Sequence, residues 1–126
     1  MKAVIRDAYG PADVLRLGDV EKPAPGDDEV VLRVHAGEIE AVGAAVTRFK
    51  PGDRVFGTCD GAFAEFARTP QDRLAPIPEN LTFERAAALP TSGMTALMAL
   101  RDAGKVRPGQ RVLVIGAGGG VGTFAM

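Results

Sequence analysis

Short apolar runs separated by turn residues fill residues 1–78. The turns carry Pro, Gly and Asp, and at this spacing such residues indicate short strands joined by tight connections. The pattern therefore predicts a small all-β, barrel-like unit. The predicted strands lie at residues 2–6, 14–20, 29–35, 38–43, 54–57 and 61–67, the last with a kink between Phe63 and Phe66.

The third predicted strand shows which of its faces is buried. Val30, Leu32 and Val34 share one face, whereas Arg33 and His35 share the other. This alternation has the period of a strand that covers a core with one side only. We therefore expect this strand to be half-buried.

Residues 79–126 change to a helical pattern. Thr82 is a candidate N-cap for an alanine-rich helix over residues 83–89, and Pro90 is placed to end it. The change in pattern separates a β-rich part over residues 1–78 from a second part over residues 79–126.

A second helix is predicted after Pro90. Thr91 or Ser92 can cap it, and Gly104 can terminate it after Ala103. Residues at i, i+3 and i+4 share one helical face, and an apolar face predicts burial. The residues expected in that core face are Met94, Leu97 and Met98.

A continuous apolar run at residues 112–115 leads straight into the glycine-rich segment 116–122. Such a run predicts a parallel strand covered on both faces, and a glycine turn at its end is the opening of a dinucleotide-binding unit. Glycines permit the tight turn and let backbone amides approach a pyrophosphate, while the next helix adds partial positive charge. In the preferred register the pattern uses Ala117, Gly119 and Gly122. A generic glycine-rich connection that binds no cofactor is the alternative.

Composition and charge narrow the function further. The 126 residues carry 15 basic and 16 acidic side chains, for a net charge of −1. This balance does not attract a polyanion, so neither nucleic acid nor a membrane is an expected partner. The charged N-terminal residues do not read as a signal peptide, and no apolar run reaches the length of a membrane span. The expected location is the cytoplasm.

Two reactive side chains occur once each. Cys59 excludes an internal disulfide and a four-cysteine zinc lobe within this chain. We interpret Cys59 as a residue of a hairpin turn rather than a zinc ligand or nucleophile, and His35 as a surface or rim residue rather than a ligand or base.

Taken together, these segments resemble the medium-chain dehydrogenase/reductase superfamily, and within it the zinc-independent quinone oxidoreductase-like branch. The resemblance covers nearly the whole chain. The zinc-dependent branch carries a Gly-His-Glu motif that this sequence lacks. The matching segments, in order, are residues 9–15, 23–30, 42–55, 61–65, 86–96 and 106–113, the third of which contains Phe49-Lys50-Pro51-Gly52-Asp53.

The resemblance implies a mainly β fold with α: a GroES-like β-barrel followed by two helices and the first β-strand and glycine loop of an incomplete Rossmann domain. It places the GroES-like domain, similar to the N-terminal domain of alcohol dehydrogenase, over residues 1–90. The connecting helix and the start of the dinucleotide-binding Rossmann domain then occupy residues 91–126. It implies hydride transfer from NAD(P)H to a small-molecule substrate, a quinone, enone or carbonyl, with NADP(H) favoured over NAD(H) and without zinc. No catalytic side chain is assigned. The implied cofactor-binding residues are Thr95, Ala117, Gly118, Gly119, Gly120, Val121 and Gly122. For Thr95, a hydroxyl that bonds back to a helix carbonyl is the equal alternative.

Two departures from the family pattern shape these expectations. Relatives carry a long Asn-x-x-Asp-containing segment where residues 35–38 here join two strands almost directly. The remaining Rossmann strands, the ribose-reading residue and the family's homodimer surface are also expected to be absent from this chain. A non-catalytic β-barrel module, or an inactive remnant whose glycine loop binds no nucleotide, is therefore the alternative function.

Overall fold

The first part of the chain contains seven β-strands. The computed structural model describes residues 1–126 and divides them into two compact units, Met1–Phe83 and Glu84–Met126. The predicted domain boundary after residue 90 falls inside a helix of the second unit. The strands are β1 (Lys2–Arg6), β2 (Leu15–Asp19), β3 (Glu29–Arg33), β4 (Glu38–Val42), β5 (Val55–Gly57), β6 (Phe66–Pro70) and β7 (Leu74–Pro76).

These strands pair antiparallel throughout. The pairs are β1 with β2, β3 with both β4 and β6, and β5 with β7. Further hydrogen bonds join the three sheets: the Val4 amide donates to the Phe63 carbonyl over 2.7 Å, and the Val55 amide donates to the Gly37 carbonyl over 2.7 Å. Side by side in space, the strands therefore lie in the order β2-β1-β6-β3-β4-β5-β7. The predicted barrel-like β-unit is confirmed.

The core of this unit lies where the alternation in β3 places it. Val30 and Leu32 are buried at 0% and 6% exposure, and Arg33 and His35 are exposed. However, Val31, on the same face as Arg33, is also buried at 1% exposure, so β3 is more deeply buried than the expected half-buried strand. Apolar side chains that face one another across a sheet supply most of the folding free energy. The cluster around Val30 and Leu32 consists of Ile39, Val55 and Leu74, with Val34, Val42, Val46, Phe49 and Cys59 packed against it.

The strand predicted over residues 61–67 begins later than expected. Only an isolated bridge between Ala3 and Ala64 precedes β6, which starts at Phe66 and pairs with β3. Side chains alternate along residues 61–67 as predicted, but the continuous hydrogen-bonded ladder covers only β6, the residues that pair with β3. Strand β7 was not expected, since it has three residues and one of them is Pro76.

The connection between β3 and β4 is as short as the sequence indicates. Arg33 pairs directly with Glu38, and residues 34–37 form the turn. Gly37 has a φ of +56°, in the left-handed region that glycine adopts without steric cost. A tight hairpin therefore stands where the resemblance places a long segment in relatives.

The second unit contains the helices. Helix α1 (Phe83–Ala87) is followed by α2 (Leu89–Leu97), which continues as a π-helix over Met98–Ala103, and α3 (Gly120–Ala125) ends the chain. The predicted stop at Gly104 is confirmed, because its amide donates to the Ala99 carbonyl over 2.8 Å and closes the last turn. None of the helices combines the length and apolar character that crossing a bilayer requires.

The expected start of the second helix is wrong. Pro90 lies in the first turn of α2, where its missing amide costs no hydrogen bond, so it opens this helix rather than only ending the previous one. The N-cap is Ala88, not Thr91 or Ser92. Pro90 in the first turn therefore indicates the start of this helix better than the candidate caps Thr91 and Ser92 do.

The expected core face of α2 is also wrong. Met94, Leu97 and Met98 are 51%, 51% and 55% exposed, whereas Ala96 is buried at 1%. Helix α2 packs against α3 through its small residues, and the ring of Phe124 lies 3.8 Å from where a Cβ on Gly93 would stand. Close packing of two helices selects the face with the smallest side chains, even though it is not the most apolar one.

Residues 112–115 do not form the predicted strand. They are assigned to no strand, and none of their backbone amides or carbonyls takes part in a hydrogen bond within the chain. A β-strand is defined by the ladder to its neighbour, and no parallel neighbour lies beside this run. The predicted Rossmann strand is thus present only as an apolar segment.

Candidate functional site

The glycine-rich segment folds as a tight turn that leads into a helix. Gly116 has a φ of +78°, and the Gly119 amide donates to the Gly116 carbonyl over 3.0 Å. Gly119 then acts as the N-cap of α3, with extended backbone angles of −81° and 167°. The predicted order of turn and helix is therefore observed, although the strand before it is not.

Several backbone amides of this turn have no acceptor within the chain. The first intrahelical bond of α3 runs from the Thr123 amide to the Gly119 carbonyl, so the amides of Gly120, Val121 and Gly122 precede the helical ladder. The amide of Gly118 is also without a backbone partner. Such groups at a helix start are the usual binding positions for anions.

Thr123 holds the turn together from the helix side. Its hydroxyl donates to the Gly119 carbonyl over 2.9 Å and lies 3.3 Å from the Ala117 carbonyl oxygen. These contacts occupy the carbonyl groups of Ala117 and Gly119. The sequence analysis did not single out Thr123, although its place one turn after the N-cap Gly119 is a signal that could have identified it.

The glycines of the segment serve different purposes. A Cβ on Gly122 would lie 2.4 Å from the Gly116 carbonyl oxygen, so the turn and α3 approach too closely for any side chain there. A Cβ on Gly120 would lie 2.8 Å from the Ser92 hydroxyl on α2, whereas one on Gly118 would meet nothing within 4 Å. The turn is thus packed on its helix side and open beside Gly118. Ser92, interpreted from sequence as a possible cap, is instead a neighbour of the turn.

A shallow cavity of about 530 Å³ adjoins the turn within the second unit. It is mostly apolar; α2 contributes only Ala96 to it, and the π-helix that continues α2 contributes Ala99 and Leu100. Thr95 is absent from the lining: it is exposed, and its hydroxyl donates to the Thr91 carbonyl over 2.7 Å. The other residues around the cavity are residues 112–116, Gly119, Gly120, Val121, Gly122 and Ala125.

The electrostatics of the turn come from the backbone alone. No residue from Val112 to Met126 carries a charged side chain. The partial positive charge at the start of α3 is therefore opposed by no carboxylate side chain of its own segment. The turn thus presents backbone amides, and it holds no carboxylate, imidazole or amine side chain.

Cys59 and His35, each the single residue of its type, lie in the first unit and not in the glycine-rich segment. His35 is exposed in the turn over residues 34–37. Cys59 is half-buried against the core cluster, and this burial, followed by the charge of Asp60, raises the pKa of its thiol above the ordinary value. Cys59 therefore packs against the core and lies just before the turn at Asp60 and Gly61, not within it.

Comparison with known proteins gives this geometry a context. Residues 8–79 match the model of the alcohol dehydrogenase GroES-like domain. The quinone oxidoreductase of Mus musculus is 37% identical over 155 residues, covering 97% of this chain and 47% of the mouse protein. Because that aligned region is longer than the 126 residues of this chain, the relative carries residues that have no counterpart here.

Solved structures likewise match nearly the whole of this chain and about half of their own length. A quinone oxidoreductase from Pseudomonas syringae pv. Tomato DC3000 superposes with a TM-score of 0.84 at 35% identity, covering 98% of this chain and 48% of the other. A mycobacterial protein solved in complex with NADPH superposes with a TM-score of 0.84 at 30% identity, covering 99% and 48%. The chain thus spans about half the length of the relatives it matches.

Proposed function

Because the chain belongs to the alcohol dehydrogenase GroES-like family, in the quinone oxidoreductase-like branch of the medium-chain dehydrogenase/reductase superfamily, we propose that it is part of an NAD(P)H-dependent oxidoreductase. The proposed substrate is a small quinone, enone or carbonyl compound. A bound nicotinamide cofactor supplies a hydride to such substrates. The observation that carries the proposal is the open turn at Gly118, whose free amides precede α3 within a chain of this family.

The residues of the turn fit the pyrophosphate of a dinucleotide. The amides of Gly118, Gly120 and Val121 would donate to its oxygens, since they have no acceptor in the chain. Ala117 and Gly119 shape the turn, and their carbonyls are held by Thr123. Gly122 lets the helix start pack against the turn. Thr95 is proposed to lie near the nicotinamide, with its hydroxyl held by the Thr91 carbonyl.

The cofactor is proposed to be NADP(H) in preference to NAD(H), and the reaction to proceed without zinc. The mycobacterial relative solved with NADPH supports the first choice. The donor set supports the second: the chain has one cysteine and one histidine, and they lie in different places, Cys59 against the core and His35 in an exposed turn. Structural and catalytic zinc sites draw on three or four such ligands.

Titration of the purified chain with NADPH and with NADH, followed by nicotinamide fluorescence, tests the proposal. We expect saturable binding of NADPH with a dissociation constant on the order of 1 mM, because the turn alone supplies a few hydrogen bonds and no ribose contact is identified. No saturable signal with either dinucleotide would contradict the proposal and favour a non-catalytic module.

A matched pair of variants assigns the binding to the turn. Gly118→Asp places a carboxylate in open space beside the free amides, so the fold is kept while the anion is repelled. We expect about a tenfold weaker affinity, equivalent to roughly 1.4 kcal/mol. Ala44→Asp adds the same charge at an exposed position in the first unit and should leave binding unchanged. Equal behaviour of the two variants would place any binding elsewhere.

A further inference from the structure

A second cavity, of about 580 Å³, lies within the first unit. All of its lining residues fall within residues 8–79, the part of the chain that matches the GroES-like domain. Arg48 and Arg54 line it together with three apolar residues, Phe49, Pro76 and Ile77. The cavity therefore combines two positive charges with an apolar surface, inside one folded unit.

The two arginines of this cavity differ from most others in the first unit, because no carboxylate neutralises them. The unit contains seven arginines, and four of them form ion pairs with carboxylates: Arg16, Arg33, Arg68 and Arg73. The remaining three are Arg6, Arg48 and Arg54. Two of the three arginines whose charge is not compensated by an ion pair thus line one cavity.

Backbone carbonyls and an aromatic ring hold the guanidinium group of Arg48. Its Nη1 donates to the Gln71 carbonyl and its Nη2 to the Leu74 carbonyl, each over 3.3 Å. The group also lies 5.3 Å from the centre of the Phe49 ring. The Nε of Arg48 has no acceptor within the chain. The group is therefore oriented in advance and keeps a free donor.

Arg54 is held in the same way. Its Nη2 donates to the Leu81 carbonyl over 3.2 Å, and its guanidinium group lies 4.3 Å from the centre of the Phe83 ring. Its Nε and Nη1 have no acceptor within the chain. A guanidinium that is oriented before binding loses little conformational freedom when it receives an anion.

Two carboxylates also border the cavity, and neither forms an ion pair with these arginines. Asp53 accepts hydrogen bonds from the amide of Lys50 over 2.9 Å and from its ammonium group over 2.5 Å. Glu79 is exposed at the rim. Three cationic side chains, those of Arg48, Arg54 and Lys50, therefore face two anionic ones, and this excess of positive charge favours an anionic ligand.

We propose that this cavity binds a small organic carboxylate. A planar guanidinium matches the geometry of a carboxylate, and the free donors of Arg48 and Arg54 supply the hydrogen bonds. Phe49, Pro76 and Ile77 contact the apolar body of the ligand, which an inorganic anion lacks. The site lies in the first unit, and the inference does not depend on nucleotide binding at the glycine-rich turn.

Titration of the full chain with phenylacetate, followed by amide-resolved NMR, tests the proposal. We expect saturable shifts centred on residues 48–54 and 76–79, with a dissociation constant on the order of 1 mM. Phenylacetamide lacks the charge and inorganic phosphate lacks the apolar body, so each should bind at least about tenfold more weakly. No saturable shift, shifts centred elsewhere, or equal affinity for either of these two compounds would overturn the proposal.

Variants of single charges assign the binding to the cavity. Arg48→Gln and Arg54→Gln should each weaken phenylacetate binding about fivefold. Arg6→Gln is the matched control, because Arg6 also forms no ion pair and lies over an aromatic ring, that of Tyr9, but does not line the cavity. It should leave the affinity unchanged.

Glu79→Gln provides a test that a misfolded variant cannot pass. It removes a negative charge from the rim of the cavity, so phenylacetate should bind about twofold more tightly. Weaker binding by Glu79→Gln, an equal loss of affinity in Arg6→Gln and the two cavity variants, or no loss in either cavity variant would overturn the proposal.

Discussion

The Val55 amide donates to the Gly37 carbonyl over 2.7 Å, and this bond joins β5 to the turn between β3 and β4. A Cβ on Gly37 would lie 2.7 Å from the Val55 carbonyl oxygen and 3.2 Å from the ring of Phe83. The shortened connection is therefore accommodated by a glycine that combines a left-handed φ with close contact to the next strand. The hairpin that replaces the long segment expected in relatives is a packed part of the barrel.

Replacing Gly37 with alanine should destabilise the first unit. The left-handed φ of +56° and the contact with Val55 both oppose a side chain, and we expect a loss of about 3 kcal/mol in the free energy of unfolding. Gly52→Ala is the control, because Gly52 has a φ of +88° but nothing within 4 Å, and should cost about 1 kcal/mol. Urea denaturation measures both; equal losses would show that the contact with Val55 contributes nothing.

Replacing Gly122 with alanine should separate α3 from the turn. Its Cβ would stand 2.4 Å from the Gly116 carbonyl oxygen, and overpacking of this kind costs about 1–3 kcal/mol. We expect faster amide hydrogen exchange in α3. Gly118→Ala, whose Cβ meets open space, should exchange at the parent rate. Unchanged exchange in Gly122→Ala would mean that the turn relaxes freely.

Glu40 should make the first unit sensitive to acid. It is the extra residue of a β-bulge in β4, and its carboxylate accepts hydrogen bonds from Lys22 over 2.6 Å and Arg33 over 2.9 Å. The Lys22 ammonium, and then the Arg33 guanidinium, lower the pKa of Glu40 below its ordinary value. The carboxylate therefore stabilises the fold above its unfolded-state pKa, and this contribution is lost as the pH falls through the lower folded-state pKa.

The variant Glu40→Gln measures that contribution. It should lower the urea midpoint at neutral pH and reduce the loss of stability between neutral pH and about pH 3. Glu79→Gln, at an exposed glutamate, is expected to follow the parent protein throughout. A parent-like pH dependence in Glu40→Gln would show that the two cations do not act through this carboxylate.

Cys59 should react slowly with alkylating reagents. Its burial against the core, followed by the charge of Asp60, raises the pKa of the thiol and reduces the reactive thiolate at neutral pH. We expect the alkylation rate of the parent chain to rise strongly when the chain is unfolded in urea. The folded Asp60→Asn variant should react faster than the folded parent, but by a smaller factor than unfolding produces. A native rate equal to the unfolded rate would contradict the burial of this thiol.

The pattern of the chain determines most of the first unit. The alternation from Val30 to His35 identifies the buried face of β3, and the turn residues identify nearly all the strands, because strand period and turn chemistry are local properties. The glycine segment likewise identifies the turn and the start of α3, since only glycine meets both the φ of Gly116 and the close approach at Gly122.

Tertiary structure decides what depends on partners distant in sequence. The apolar run at residues 112–115 has the composition of a strand, yet it forms no ladder, because hydrogen bonds need a neighbour that the run itself cannot specify. The apolar stripe of Met94 and Leu97 lies exposed while Ala96 is buried, because contact with α3 favours the smallest side chains. Composition therefore determines which segments can form strands and helices, and the packing of one segment on another determines which of them do so and which faces they bury.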